Sequence, residues 1–246
     1  MKTAAIITAA GNSSRMGDGL KKEYRLLPGA FDEDGNPMTV LGAAVMAFAL
    51  NPRISFIVVV HPLDAESGEY AARAALGARI LSTKKQILFV PGGKSRQSSV
   101  YNGLSFLQTW KPDITLIHDG ARPWIKNDLI DRIIDGVIEY GAAIPVVPLT
   151  ETPKIINPPF IEQHLKRTTV FAAQTPQGFL FSEILAAHQK AAEHSVRENA
   201  AYTDDAEIYG AFAGKTAAIQ GDRANIKITF AFDLQTIDPP AAANPA

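Results

Sequence analysis

Runs of apolar residues of strand length alternate along this chain with segments of helical period, and that alternation limits the fold more than any other feature. Ile54 to Val60, Gln86 to Val90, Ile114 to Ile117 and Ala142 to Val147 read as strands buried on both faces. Between them, Thr39 to Leu50, Asp64 to Leu76, Ser95 to Gln108 and Asn127 to Tyr140 read as helices, several opening on a Ser, Thr, Asn or Asp cap. Strand–helix alternation predicts an α/β protein with a mostly parallel sheet covered by helices. Ligands are then expected beyond the carboxyl ends of the strands.

The first such end carries the most chemistry. The apolar run from Ala4 leads into Ala9-Ala10-Gly11-Asn12-Ser13-Ser14-Arg15-Met16-Gly17, with Lys21 and Lys22 close behind. Small side chains let backbone N–H groups approach an anion, and the cations neutralise it. A triphosphate-binding loop and a plain turn both fit this stretch. Gly11 and Gly17 lie six apart with no glycine at 13, so the dinucleotide fingerprint is missing, and Asp18-Gly19 after Gly17 breaks the phosphate-loop motif.

Bulk properties exclude several classes. The 246 residues suffice for a large core, and a formal net charge of -1 provides no global attraction to nucleic acid or an anionic membrane. Absence of cysteine removes disulfides, thiolate metal sites and cysteine nucleophiles together. No apolar run approaches the roughly twenty residues of a membrane span. Met1-Lys2 before Ala4 to Ala10 faintly imitates a signal peptide, but the run feeds straight into the loop and reads as the first strand of a cytoplasmic protein.

Other segments add candidates. Gly92-Gly93-Lys94-Ser95-Arg96-Gln97-Ser98-Ser99 follows a strand, and its glycines admit either a flat ligand or simply a tight turn before a capped helix. Asp119, in His118-Asp119-Gly120-Ala121-Arg122-Pro123, ends another strand, where a carboxylate suits Mg²⁺ or a structural role bonding loop amides. His118 has no histidine at ligand spacing and reads as structural. Thr203-Asp204-Asp205 fits an acidic helix start. Asn225-Ile226-Lys227-Ile228-Thr229 alternates like a strand with Lys227 on its wet face. Phe31 to Pro37 is acidic and turn-rich, as in an exposed loop. Thr150 to Arg167, with Pro153, Pro158 and Pro159, reads as a projecting hairpin whose apolar residues suit a partner chain. The proline- and alanine-rich end looks frayed.

Taken in order, AAGNSSRMG with KKEY, GGKSRQSSV, HDGARP, the ETPK element, QTPQGF, TDDA and GDRANIKIT resemble the 2-C-methyl-D-erythritol 4-phosphate cytidylyltransferase family of non-mevalonate isoprenoid synthesis. The resemblance runs from Ala4 to Leu234. It implies a glycosyltransferase-A-like, Rossmann-related nucleotidyltransferase fold over residues 1–236, an arm at 150–167 that joins a homodimer, and a disordered tail at 237–246. It further implies that Arg15, Lys22 and Lys227 act on the CTP phosphates, and that Ala9, Ala10, Gly11, Asn12, Ser13, Gly93, Arg96, Ser99, Asp119 and Gly120 bind CTP. Asp119 would hold Mg²⁺. Arg122, Thr152, Thr175, Thr203 and a catalytic Arg167 would surround the phosphate of a polyol phosphate, some across the dimer. Thr150 competes with Thr152, which is favoured by its spacing to Lys154 in the family's T-x-K. Three departures stand out: Asn12-Ser13 where many members have another glycine, Glu23 in place of a frequent Gln, and a longer segment before Leu41.

The implied reaction needs no general base, because the attacking phosphate is already anionic. It needs positioning and positive charge around the triphosphate. Ribitol-5-phosphate is the nearest alternative acceptor. A non-catalytic nucleotide-binding module and an NAD-dependent dehydrogenase are alternatives of other classes, the last weakened by the missing middle glycine.

Overall fold

The computed structural model describes residues 1–11, 21–198 and 201–235. The described chain runs β1 (Thr3–Thr8), β2 (Leu26–Phe31), β3 (Pro37–Thr39), α1 (Val40–Leu50), β4 (Ile54–His61), α2 (Ala65–Leu81), β5 (Gln86–Pro91) and α3 (Arg96–Phe106). It continues through β6 (Ile114–Asp119), α4 (Asn127–Tyr140), β7 (Ala142–Pro148), β8 (Lys154–Asn157), β9 (Phe160–His164), β10 (Phe171–Ala173), β11 (Gln177–Leu180), α5 (Phe181–Glu198), α6 (Asp205–Phe212) and β12 (Ala217–Gln220). The main sheet has the order β10-β7-β11-β6-β1-β4-β5, with β12 on the other edge of β7. β4, β1 and β6 are parallel neighbours, β5 continues the set, and β11 runs antiparallel between β6 and β7. The expected mostly parallel sheet is what forms.

Period-two alternation explains why both faces are dry. Along β1, Ala5 and Ile7 join Leu41, Phe48, Ile57 and Ile130 under α1 and α4, while Ala4 and Ile6 join Val58, Leu104 and Ile117 under α3. The helices start where the sequence supplies caps. Thr39 Oγ1 accepts from the Gly42 N–H (2.9 Å), and Ser95 forms a reciprocal capping box with Ser98. α2 runs past the expected end at Leu76: Gly77 adopts φ 72°, which breaks the helical geometry before it resumes.

Chain direction sets the site. Strand order reverses around β1, with β4, the next strand of the main sheet in sequence, on one side and β6 on the other. Thr8 and Asp119, the last residues of these two parallel strands, are register partners. A crevice beyond such a switch point is where open α/β sheets bind ligands.

Three peripheral segments complete the description. β2 and β3 form a ribbon around a turn in which Asp32 Oδ1 accepts from the Asp34 and Asn36 N–H groups (3.0 and 2.8 Å), so the acidic 31–37 segment is exposed as expected. β8 and β9 pair as the hairpin expected within 150–167. The expected strand at Asn225–Thr229 does not form. Asn225 and Ile228 are buried instead of the alternate isoleucines, because the segment is held at single points: Ile228 N–H donates to Ala121 O (2.8 Å), and Arg122 Nη1 donates to Asn225 O (2.7 Å). Among the described residues no helix is long and apolar enough to cross a membrane. The expected tail at 237–246 lies outside the described residues.

Candidate active site

A cavity of about 640 Å³ opens beyond the carboxyl ends of β1 and β6. Ala10 and Gly11 follow β1, Lys21, Lys22 and Glu23 come from the next short turn, and Gly93, Lys94, Ser95, Arg96 and Ser99 come from the β5–α3 connection. Asp119 closes β6, and Lys227 and Thr229 arrive from the C-terminal segment. Residues scattered over more than 200 positions thus meet in one place. Asn12, Ser13 and Arg15 lie outside the described residues. Ala9 and Gly120 are buried beside lining residues; Gly120 N–H donates to Thr8 O (2.9 Å).

The β5–α3 loop gains its shape from two glycines and a serine. A Cβ on Gly92 would lie 2.5 Å from the Ala10 Cβ, so only glycine lets this loop approach the one after β1. Gly93 N–H donates to Ser99 Oγ (3.0 Å), whose hydroxyl donates to Ser95 O (2.8 Å). These two residues, both expected to bind CTP, therefore touch each other and present one edge. Lys21 Nζ donates to Gly11 O (3.0 Å), which ties the first loop to the start of the next turn.

Asp119 is the electrostatic centre. Its Oδ2 lies 2.7 Å from Lys227 Nζ and 3.7 Å from Arg122 Nε, and its Oδ1 lies 3.8 Å from Arg96 Nε. Burial alone would raise this carboxyl, but Lys227, Arg96 and Arg122 together hold it well below the usual carboxylate range. The group stays ionised across all ordinary pH.

Behind it sits a satisfied chain of hydrogen bonds. Asp119 N–H donates to Thr175 Oγ1 (3.1 Å), which lies 3.1 Å from His118 Nδ1, while His118 Nε2 lies 3.2 Å from Arg122 O. His118 is wholly buried and structural, as read from the sequence. Thr175, expected at the substrate, is buried in this chain and lines none of the cavities described.

Arg96 reaches across to a second buried carboxylate. Its Nη2 donates to Asp205 Oδ2 (2.6 Å), and His188 Nε2 stands 3.1 Å from Asp205 Oδ1. Burial would raise Asp205, but the Arg96 charge and the His188 hydrogen bond hold it below its ordinary value. The Thr203–Asp205 segment starts α6 as expected, with Asp204 accepting from the Glu207 N–H (2.9 Å). Thr203 is exposed, and its hydroxyl donates to Glu207 Oε2 (2.7 Å).

A second cavity, of about 510 Å³, lies on the other side of Arg122 and is lined by Thr150, Gln174, Arg223 and Asn225, among others. Thr150 lines it, whereas the favoured Thr152 is exposed on the hairpin stem and does not. Arg167 Nη1 donates to Thr150 O (3.0 Å), which folds that guanidinium against the rim residue. Sequence reasoning singled out Lys21 beside Lys22 as a cation of the first loop but not Arg223, which nothing in local spacing distinguishes. It also passed over Asp205 as part of a helix start, although two successive aspartates at a cap invite a separate role for the second.

The family model for 2-C-methyl-D-erythritol 4-phosphate cytidylyltransferase matches residues 3–238. A protein of that description from Geobacillus thermodenitrificans is 36% identical over 237 residues, covering 95% of this chain and 94% of its own. The bifunctional enzyme IspD/IspF of Bartonella henselae is 38% identical over 240 residues, covering 96% of this chain and 56% of its own. The chain spans about half the length of several curated relatives it matches, all bifunctional. The crystal structure of 4-diphosphocytidyl-2C-methyl-D-erythritol synthase from Anaerococcus prevotii superposes with a TM-score of 0.75 at 25% identity, covering 96% of this chain and 95% of that one. The 2-C-methyl-D-erythritol 4-phosphate cytidylyltransferase of Francisella tularensis gives 0.73 at 25% identity, covering 96% and 97%.

Proposed function

Because the chain belongs to the 2-C-methyl-D-erythritol 4-phosphate cytidylyltransferase family, we propose that it transfers a cytidylyl group from CTP to 2-C-methyl-D-erythritol 4-phosphate. The products are 4-diphosphocytidyl-2-C-methyl-D-erythritol and pyrophosphate. One observation carries the reading: Lys22, Arg96, Asp119 and Lys227 face one cavity whose wall is the Gly93–Ser99 edge. That edge suits a pyrimidine ring, and the cations suit a triphosphate.

In the proposed reaction the acceptor's phosphate oxygen attacks the α-phosphorus of CTP, and the bond to the leaving pyrophosphate breaks. Lys22 and Lys227, with Arg15, neutralise charge that builds on the leaving group and bring two anions together. Asp119 fits Mg²⁺, because this ion keeps several waters and takes one or two carboxylates besides substrate phosphates. Among the described residues no cluster of three acidic or histidine ligands exists, so the triphosphate would supply the other ligands. When held at Asp119, the ion would supply Lewis-acid neutralisation of phosphate charge. Lys227 now occupies an Asp119 oxygen at 2.7 Å and would turn toward the phosphates as they arrive.

Arg122 faces the second cavity, where the acceptor's phosphate would sit beside Thr150. Thr152, Thr203 and Arg167 would serve that phosphate too, some of them from a neighbouring subunit. Dimerisation is supported by the hairpin, which exposes Ile155, Ile156, Phe160 and Ile161 together on a projection with little core of its own. The test is a pyrophosphate-release assay with CTP and Mg²⁺ that compares 2-C-methyl-D-erythritol 4-phosphate with ribitol-5-phosphate. Preference for the first is expected. Preference for ribitol-5-phosphate would move the acceptor assignment, and CTP uptake without turnover on either would reduce the chain to a nucleotide-binding module.

A further inference from the structure

Asp205 lies behind the nucleotide cavity yet controls a side chain within it. It opens α6 and is wholly buried. Its N–H donates to Gln177 Oε1 (3.1 Å), so β11 dictates where the carboxylate stands. One oxygen accepts from Arg96 Nη2 at 2.6 Å, and the other accepts from His188 Nε2 at 3.1 Å. His188, on α5, is itself wholly buried, so the brace is fixed on both sides.

The distances around Arg96 are unequal. The guanidinium makes a short bond to Asp205 but stays 3.8 Å from Asp119. A planar guanidinium closes readily on a carboxylate with two parallel bonds. Such closure on Asp119 would occupy the oxygens that Lys227 now shares and that a divalent cation would need.

The geometry points to Asp205 as a positioning residue: braced by His188, it pins Arg96 to the cavity wall, short of a closed pair with Asp119, so that the remaining N–H groups face an anionic nucleotide. This rests on the CTP reading of the cavity. Asp205 touches no ligand; it acts through Arg96.

The experiment is calorimetric titration of CTP with Mg²⁺ into the full chain, alongside steady-state kinetics. Asp205→Asn keeps the shape and removes the charge; CTP affinity is expected to fall about tenfold, while the acceptor KM stays within about twofold. In an Arg96→Gln background, adding Asp205→Asn is expected to change CTP affinity by less than about twofold, because the residue has nothing left to act through. The double variant removes both charges together, so a loss of CTP affinity well beyond that of Arg96→Gln overturns the role even where Asp205→Asn alone does not fold. An equal loss of CTP affinity in both backgrounds, or an acceptor KM that rises as much as the CTP dissociation constant, overturns the role. If the unsubstituted chain takes up no CTP, the nucleotide reading fails and the role falls with it. If it takes up CTP and Asp205→Asn matches it, only the positioning role fails.

Discussion

His118 offers a sharp test of the hydrogen-bond chain behind Asp119. Its Nε2 faces the Arg122 carbonyl, which can only accept, so Nε2 carries the hydrogen. Nδ1 is then the acceptor and takes the Thr175 hydroxyl hydrogen, while that oxygen accepts the Asp119 N–H. Every group is satisfied with a neutral ring. Burial pushes the imidazole down to about 4 from an ordinary 6.5, and the nearby Asp119 charge offsets only part of that. Between those values the unfolded chain binds a proton that the folded chain refuses, so stability is lost as pH falls through the window. At about 1.4 kcal/mol for each pH unit, the loss attributable to this one residue is on the order of 2–3 kcal/mol between pH 7.5 and 4.5. His118→Gln has no such proton to bind. It should be less stable at neutral pH, through imperfect packing against Phe48, yet its stability should fall less steeply on acidification. Urea unfolding of both proteins at several pH values measures this, and the difference between them cancels the carboxylates that titrate in each. Parallel stability–pH curves would refute the assigned tautomer and the buried neutral ring together.

Removal of one catalytic cation is expected to cost about a hundredfold in turnover: Lys22→Ala and Lys227→Ala should each show this with unchanged circular dichroism, and near-normal turnover of the folded double variant would rule the mechanism out. Arg167→Ala should raise the KM for the acceptor more than that for CTP; equal increases would count against a role at the acceptor's phosphate. Phe160→Asp, which places a charge on a side chain 74% exposed at the hairpin tip, should halve the mass seen in sedimentation; a mass insensitive to it would detach the hairpin from assembly.

The strand–helix frame was legible because period-two and helical periods survive in the residues themselves, from Ile54–His61 to Asn127–Tyr140. Lys22, Asp119 and Lys227 were legible as candidates, but their meeting was not a property of any one segment. It follows from the reversal of strand order at β1. The 225–229 segment misled because alternation implies a strand only when a neighbouring strand edge is free. The single bond from Ile228 to Ala121 and the Arg122–Asn225 contact replace a ladder. Thr150 and Thr152 could not be separated by spacing, since the hairpin's exit angle determines which of them lines the cavity beside Arg122. The Asp205–Arg96 pair joins positions 109 apart in sequence, a separation at which no local pattern carries information.

Lys227 comes from a stretch that closes the site from behind, held by the Ala121 carbonyl and the Arg122 guanidinium on the β6 loop. A ribosome making this chain delivers the loops after β1 and β5 well before that amine. Until then Asp119 lacks its nearest counter-charge. The order of synthesis thus leaves this cavity one cation short until residue 227 has emerged.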